Sequence, residues 1–90
     1  MLAIKFTNKM KRDVKRMAKR GKDIVKLTIV LDLIASKEQM PEKYRDHSLK
    51  GDMQGYRECH IEPDWLLVYQ INNDELILLA SRHGNSLRPL

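Results

Sequence analysis

Ninety residues, 42% hydrophobic and 32% charged, make room for one small domain spanning 1–90 and one core. That balance excludes a disordered or fibrous chain, and the longest apolar runs, 28–31 and 65–69, fall far short of the roughly 20 residues a membrane span needs. A single cysteine, Cys59, excludes a disulfide framework and a Cys-rich zinc module. With a basic rather than apolar start to the chain, the expectation is a cytoplasmic protein with no membrane contact.

The net charge of +5 is unevenly spread. Residues 1–26 hold ten Lys and Arg against Asp13 and Asp23, whereas residues 27–90 hold seven basic and ten acidic residues. The positive third is Lys5, Lys9, Lys11, Arg12, Lys15, Arg16, Lys19, Arg20, Lys22 and Lys26. A face this basic concentrates polyanions and points to nucleic acid or an acidic protein as partner; a merely solvated helix face is the plainer alternative.

In chain order, residues 2–6 alternate as a short strand. Thr7 or Asn8 then offers an N-cap, and Met10, Val14, Met17 and Ala18 follow at helical spacing until Gly21 closes the helix. Asp23 caps a second helix whose apolar face is Ile24, Leu27, Val30, Leu31 and Ile34; the pattern is lost over 36–40, before Pro41. After a loop, 54–61, 65–71 and 75–81 read as strands separated by Glu62-Pro63-Asp64 and Asn72-Asn73-Asp74. Such short connections require antiparallel neighbours. The expected class is therefore α+β, in the order β-α-α-β-β-β: two helices pack on one face of a small antiparallel sheet whose other face stays open.

If 56–61 is extended, Tyr56, Glu58 and His60 share one face, while Arg57, Cys59 and Ile61 share the other. Cys59 and Ile61 then turn to the core, keeping the thiol protonated and inert, and His60 turns to the open side. Asp64, across the turn, is placed to orient an imidazole, and His47 in the preceding loop can reach the same surface. Two imidazoles, a carboxylate and the cations Lys50 and Arg82 suffice to cleave a phosphodiester: one group takes the 2′-hydroxyl proton, one protonates the leaving 5′-oxygen, and a cation steadies the phosphorane. Taken alone, each has a structural reading too, since a strand His is commonly structural, Asp64 is a turn residue and Trp65 is more readily core than a base-stacking platform. His47, His60, His83 and Cys59 lack a recognised ligand spacing, so neither metal nor cofactor is expected.

Residues 44–69, Y-R-D-H-S-L-K-G-D-M-Q-G-Y-R-E-C-H-I-E-P-D-W-L-L-V-Y, resemble the YafQ branch of the RelE/ParE toxin superfamily. The pattern is D-H-x-L-x-G, then G-x-R-E/D-x-H-I/V-x-P-D-W/V, then an aliphatic run ending in Tyr; the basic helical pair before it extends the resemblance over nearly the whole chain. The resemblance implies a RelE-like toxin of a type II toxin–antitoxin pair, an mRNA interferase that cuts messenger RNA in the ribosomal A site without metal. It also implies neutralisation by an antitoxin of the DinJ kind. His47, His60 and Asp64 match family active-site positions, Trp65 a position beside the site in contact with RNA, and Arg82 the arginine expected on the scissile phosphate. Lys9, Lys11, Arg12, Lys15, Arg16, Lys19 and Arg20 then acquire ribosomal RNA as partner.

The tail departs from the family's ending, an arginine followed by T-G-S/T-H-S-D/E-L-F with a late catalytic histidine and a terminal aromatic. Here Arg82 is followed by H-G-N-S-L-R-P-L. One base inserted after the Arg82 codon converts the former into the latter, so the expectation is a frameshifted tail and weakened cleavage. A naturally divergent end in which His83 stands in for the lost histidine is the alternative. Two other functions compete: a ParE-like gyrase inhibitor, and a non-catalytic module whose basic helices dock an acidic protein.

Overall fold

The computed structural model describes residues 1–84. Strand β1 (Ala3–Phe6) leads into helix α1 (Asn8–Lys19), whose N-cap is Thr7: its hydroxyl accepts the Met10 N–H. Gly21, at φ 86°, supplies the left-handed residue that ends α1, and the Asp23 side chain caps α2 (Ile24–Ala35) by accepting the Val25 N–H. The rest of the chain forms β2 (His47–Ser48), β3 (Arg57–Glu62), β4 (Trp65–Asn72) and β5 (Glu75–His83). The sheet order is β1-β5-β4-β3-β2.

The expected order β-α-α-β-β-β holds, with two refinements. Strand β1 pairs parallel to β5, from Ala3 opposite Glu75 to Phe6 opposite Leu78, which makes the sheet mixed. The connection between them runs through the helical pair and then β2, β3 and β4, long enough for the crossover that a parallel neighbour requires. Residues 47–48, read as loop, form the extra strand β2 on the edge of β3. Strand β3 begins three residues later than expected because Gly55, at φ 95°, turns the chain and Tyr56 N–H bonds back to Met53 O. The β4–β5 hairpin closes at Asn72 opposite Glu75, with Asn73 at φ 57°, the conformation its side chain tolerates.

The main core lies between the helices and the sheet. Met10 and Met17 from α1 and Leu27, Val30, Leu31 and Ile34 from α2 meet Cys59, Ile61, Trp65, Leu67, Tyr69, Leu76 and Leu78. Val14 packs only at its margin and Ala18 is exposed, so the α1 stripe is narrower than its periodicity suggests. Full burial of each large apolar side chain contributes about 1.5–3 kcal/mol.

The opposite face is less open than expected. The segment between β2 and β3 folds back over it, and Leu49, Met53 and Tyr56 cover Val68 and Ala80. Its apolar residues are spaced by turns rather than by a period, so no helix or strand pattern announces this second cluster.

Candidate active site

Residues paired across a ladder point to the same face. His47 pairs with Glu58, and Glu58 with Val68; His60 pairs with Leu66, and Leu66 with Arg82. His47, Glu58, His60 and Arg82 therefore share the face turned away from the helices, next to the edge of the second cluster. His47 and His60 are diagonal neighbours across β2 and β3, roughly 7–8 Å apart at their Cα atoms. Neither is sealed in the core: both are partly exposed, and Arg82 is exposed.

Each imidazole is oriented by backbone. His47 Nδ1 lies 2.7 Å from Arg45 O, and a carbonyl can only accept, so this nitrogen carries a proton. Its Nε2 faces Glu58 Oε1 at 3.3 Å, an ion pair when the imidazole is protonated. Glu58 itself is fully buried. His60 Nδ1 lies 3.2 Å from Pro63 O, which fixes the tautomer protonated at Nδ1 and makes Nε2 the basic nitrogen. The site strand β2 is pinned from behind, where Tyr69 donates to Asp46 Oδ1 at 2.5 Å and Arg57 donates to Asp46 Oδ2 at 3.0 and 3.3 Å. Burial, then Asp46, pushes the Tyr69 hydroxyl up, so it stays a donor.

Asp64 does not join His60. Its Oδ1 accepts from Lys22 at 3.2 Å, its Oδ2 lies 3.0 Å from His83 Nε2, and its carbonyl accepts the Gly84 N–H at 2.8 Å. Lys22 also bonds Glu62 at 3.0 Å, and Lys26 bonds Glu62 at 2.7 Å. These lysines hold Glu62 and Asp64 below the usual carboxylate range, Asp64 through Lys22 first and His83 after it. The network ties the α1–α2 turn to the β3–β4 turn, so Asp64 steadies the loop that carries Pro63 O. His83 follows Arg82 directly and alternation sends it to the other face.

Trp65, expected beside the site as an RNA contact, is fully buried on the helix side and donates its indole N–H to Ser81 Oγ at 2.7 Å. A ring enclosed in this way supports the strand ends and offers no stacking surface. Cys59 is buried as expected, and desolvation pushes its thiol up, which keeps it inert. Lys50 is exposed on the covering loop. The basic residues of α1 lie in the helical layer, away from the imidazoles. Lys9 and Arg16 are engaged by Asp13 at 2.9 and 3.1 Å, while Lys11, Arg12, Lys15, Lys19 and Arg20 are exposed.

Two residues here were not singled out from sequence. Glu58 was placed on the correct face by alternation, yet nothing marked it as buried beneath His47. Asp13 looked like one acid in a basic helix. A groove of about 550 Å³ between α2 and the β3–β4 turn, lined by Ile29, Tyr44, Ile61 and Pro63 among others, includes neither His47 nor His60. Among the described residues, no three His, Cys, Asp or Glu side chains are grouped to hold a metal ion. The tail beyond Gly84, most of the ending expected to be frameshifted, lies outside the described residues.

A helical pair on a mixed five-stranded sheet matches the fold of a class of small bacterial toxins. The family described as "Bacterial toxin of type II toxin-antitoxin system, YafQ" matches residues 2–86. The chain belongs to this YafQ toxin family. It is 38% identical over 71 residues, 78% of this chain and 77% of the relative, to the mRNA interferase toxin YafQ of Escherichia coli K12. The crystal structure of YafQ from E. coli BL21(DE3) superposes with a TM-score of 0.85 at 32% identity, covering 92% of this chain and 93% of that one. YafQ in the E. coli DinJ–YafQ complex superposes at 0.83 and 33% identity, with the same coverage.

Proposed function

We propose that this chain is an endoribonuclease toxin that cuts messenger RNA in the ribosomal A site by acid–base catalysis and is held in check by a cognate, DinJ-like antitoxin. The observation that carries this reading is the sharing of one sheet face by His60, the His47–Glu58 pair and Arg82. His60 Nε2 takes the proton from the ribose 2′-hydroxyl, and the freed oxygen attacks the adjacent phosphorus. The Arg82 guanidinium neutralises charge on the phosphorane. Protonated His47, its Nε2 facing Glu58, gives a proton to the departing 5′-oxygen, leaving a 2′,3′-cyclic phosphate and a 5′-hydroxyl. Base, acid and cation all come from side chains, so the route calls for no cofactor.

Lys50, on the loop beside His47, adds a phosphate contact. The exposed cations Lys11, Arg12, Lys15, Lys19 and Arg20 grip ribosomal RNA from the other layer, while Lys9 and Arg16 are partly neutralised by Asp13. Asp64 acts on His60 only through the turn that holds Pro63.

Primer extension on an actively translated message tests the reading. Intact protein should produce cuts at the A-site codon, and His60→Ala should abolish them. Undiminished cutting by His60→Ala overturns the assignment. Gyrase inhibition without RNA cutting would favour the ParE-like alternative, and neither effect would leave a basic interaction module.

A further inference from the structure

Strand β1 ends at Phe6, opposite Leu78, so the second half of β5 has no neighbouring strand on that side. The start of α1 takes its place. The Thr7 hydroxyl lies 2.8 and 3.1 Å from the carbonyls of Leu78 and Leu79. Further along, Asp13 Oδ2 accepts the Ser81 backbone N–H at 3.1 Å. Between these contacts β5 bulges against β4: Tyr69 pairs with Leu78 and Val68 with Ala80, leaving Leu79 between the two rows. A bulge re-aims every residue after it, and Arg82 lies just beyond.

Asp13 is a carboxylate almost wholly withdrawn from water, and its side chain is satisfied by Ser81 N–H, Lys9 and Arg16. Burying a charge in this way is costly, and α1 already has Met10 and Met17 to hold it on the sheet. Ser81 in turn receives the Trp65 indole and donates its hydroxyl to Leu66 O at 3.0 Å, in the row that carries His60 and Arg82. One carboxylate thus ties the basic helix to the strand end that bears the phosphate-binding arginine.

We propose that Asp13 is a positioning residue for RNA cleavage, which fixes the bulged end of β5 through Ser81 so that Arg82 meets the scissile phosphate, and links that geometry to the helix cations Lys9 and Arg16. The proposal rests on the endoribonuclease reading. Asp13 touches no RNA; it acts through Ser81 and Arg82.

Asp13→Asn keeps an oxygen acceptor for Ser81 N–H, whereas Asp13→Ala removes it. Three measurements on the full chain separate the roles: single-turnover cleavage, affinity for an uncleavable 2′-O-methyl oligonucleotide, and amide hydrogen exchange at 81–83. Asp13→Ala should slow cleavage roughly 10- to 100-fold with affinity changed less than about threefold, and should speed exchange at Ser81. Asp13→Asn should recover most of the rate and the protection. Equal losses in both variants, or unaltered exchange at Ser81 in a folded Asp13→Ala, would overturn the proposal. If Asp13→Ala does not fold, Asp13→Asn decides: near-native rate and protection support it, and a loss as large as that of Arg82→Ala overturns it. If the unaltered chain cuts no RNA, the endoribonuclease reading fails by itself. Exchange at Ser81 then still shows whether Asp13 holds the strand end, and native-like exchange in both variants overturns that too.

Discussion

Along β4, Trp65, Leu67 and Tyr69 point toward the helices and Leu66 and Val68 point away, yet all five are buried. The helix side reaches that state with large apolar side chains from two helices packed at the density of a core. On the far side, Val68 is covered by a few residues of one turning loop, Leu49, Met53 and Tyr56, and the face then gives way to His60 and Arg82. On the endoribonuclease reading, the difference separates stability from chemistry within a single sheet. One face sets where the strands lie, and the other uses that rigidity to hold groups whose own packing contributes little.

Substitutions on the two faces should therefore fail in different ways. The largest effect expected is on the imidazole face: His60→Ala or Arg82→Ala should lower single-turnover cleavage by about 10²–10⁴-fold with the thermal midpoint nearly unchanged. A parallel loss of stability would break the contrast. Replacing residues 83–90 by the ending T-G-T-H-S-D-L-F should raise cleavage by about the same factor, read by primer extension and growth arrest, because it restores the late histidine that the family resemblance implies. Equal activity of both forms would show that the present tail suffices. On the helix face, Trp65→Ala should cost about 3–5 kcal/mol in denaturant unfolding, through a large cavity and the loss of the indole N–H bond to Ser81 Oγ. Glu58→Gln stands at the boundary: its volume is kept, so stability should hold, while cleavage falls about 10- to 100-fold as the carboxyl facing His47 Nε2 is replaced by an amide.

Much of the helix side could be read directly from residue spacing. The caps Thr7 and Asp23, the stop at Gly21 and the inward turn of Cys59 and Ile61 depend on local chemistry and on periods of 3.6 and 2, and these are visible in a linear chain. The common face of His47 and His60 also followed, by alternation for His60 and by the reach of the preceding loop for His47. What could not be read depended on long-range pairing. The bond from Asp13 to Ser81 spans 68 positions, and the partner of Asp64 became His83 rather than His60 because a bulge between His60 and Glu62 turns the loop. Trp65 matched a motif position beside the site, but register placed its ring on the opposite face.

The smallest effect expected concerns the ion-pair lattice that joins the two layers at one end. Glu62 and Asp64 titrate below the ordinary carboxylate range, chiefly through Lys26 and Lys22, while both lysines titrate above their ordinary range, chiefly through Glu62. A carboxyl that is lowered on folding stabilises the native state above its unfolded value, and the contribution disappears as acid protonates it. A lysine that is raised stabilises below its unfolded value and loses that contribution in strong base. The lattice should thus be constant between about pH 5 and 10 and fade on the acid side below about pH 4. Lys26 and Asp64 are exposed and Lys22 and Glu62 partly so, so salt screens the lattice and the global change is small. The local change is the informative one. Lys22→Ala should flatten the acid limb of the stability profile and loosen the Pro63 turn, seen as a shift in the His60 ring resonances, while unfolding at neutral pH moves little. Unchanged His60 resonances would show that His60 is oriented without the lattice, and that the two layers are coupled only through β5.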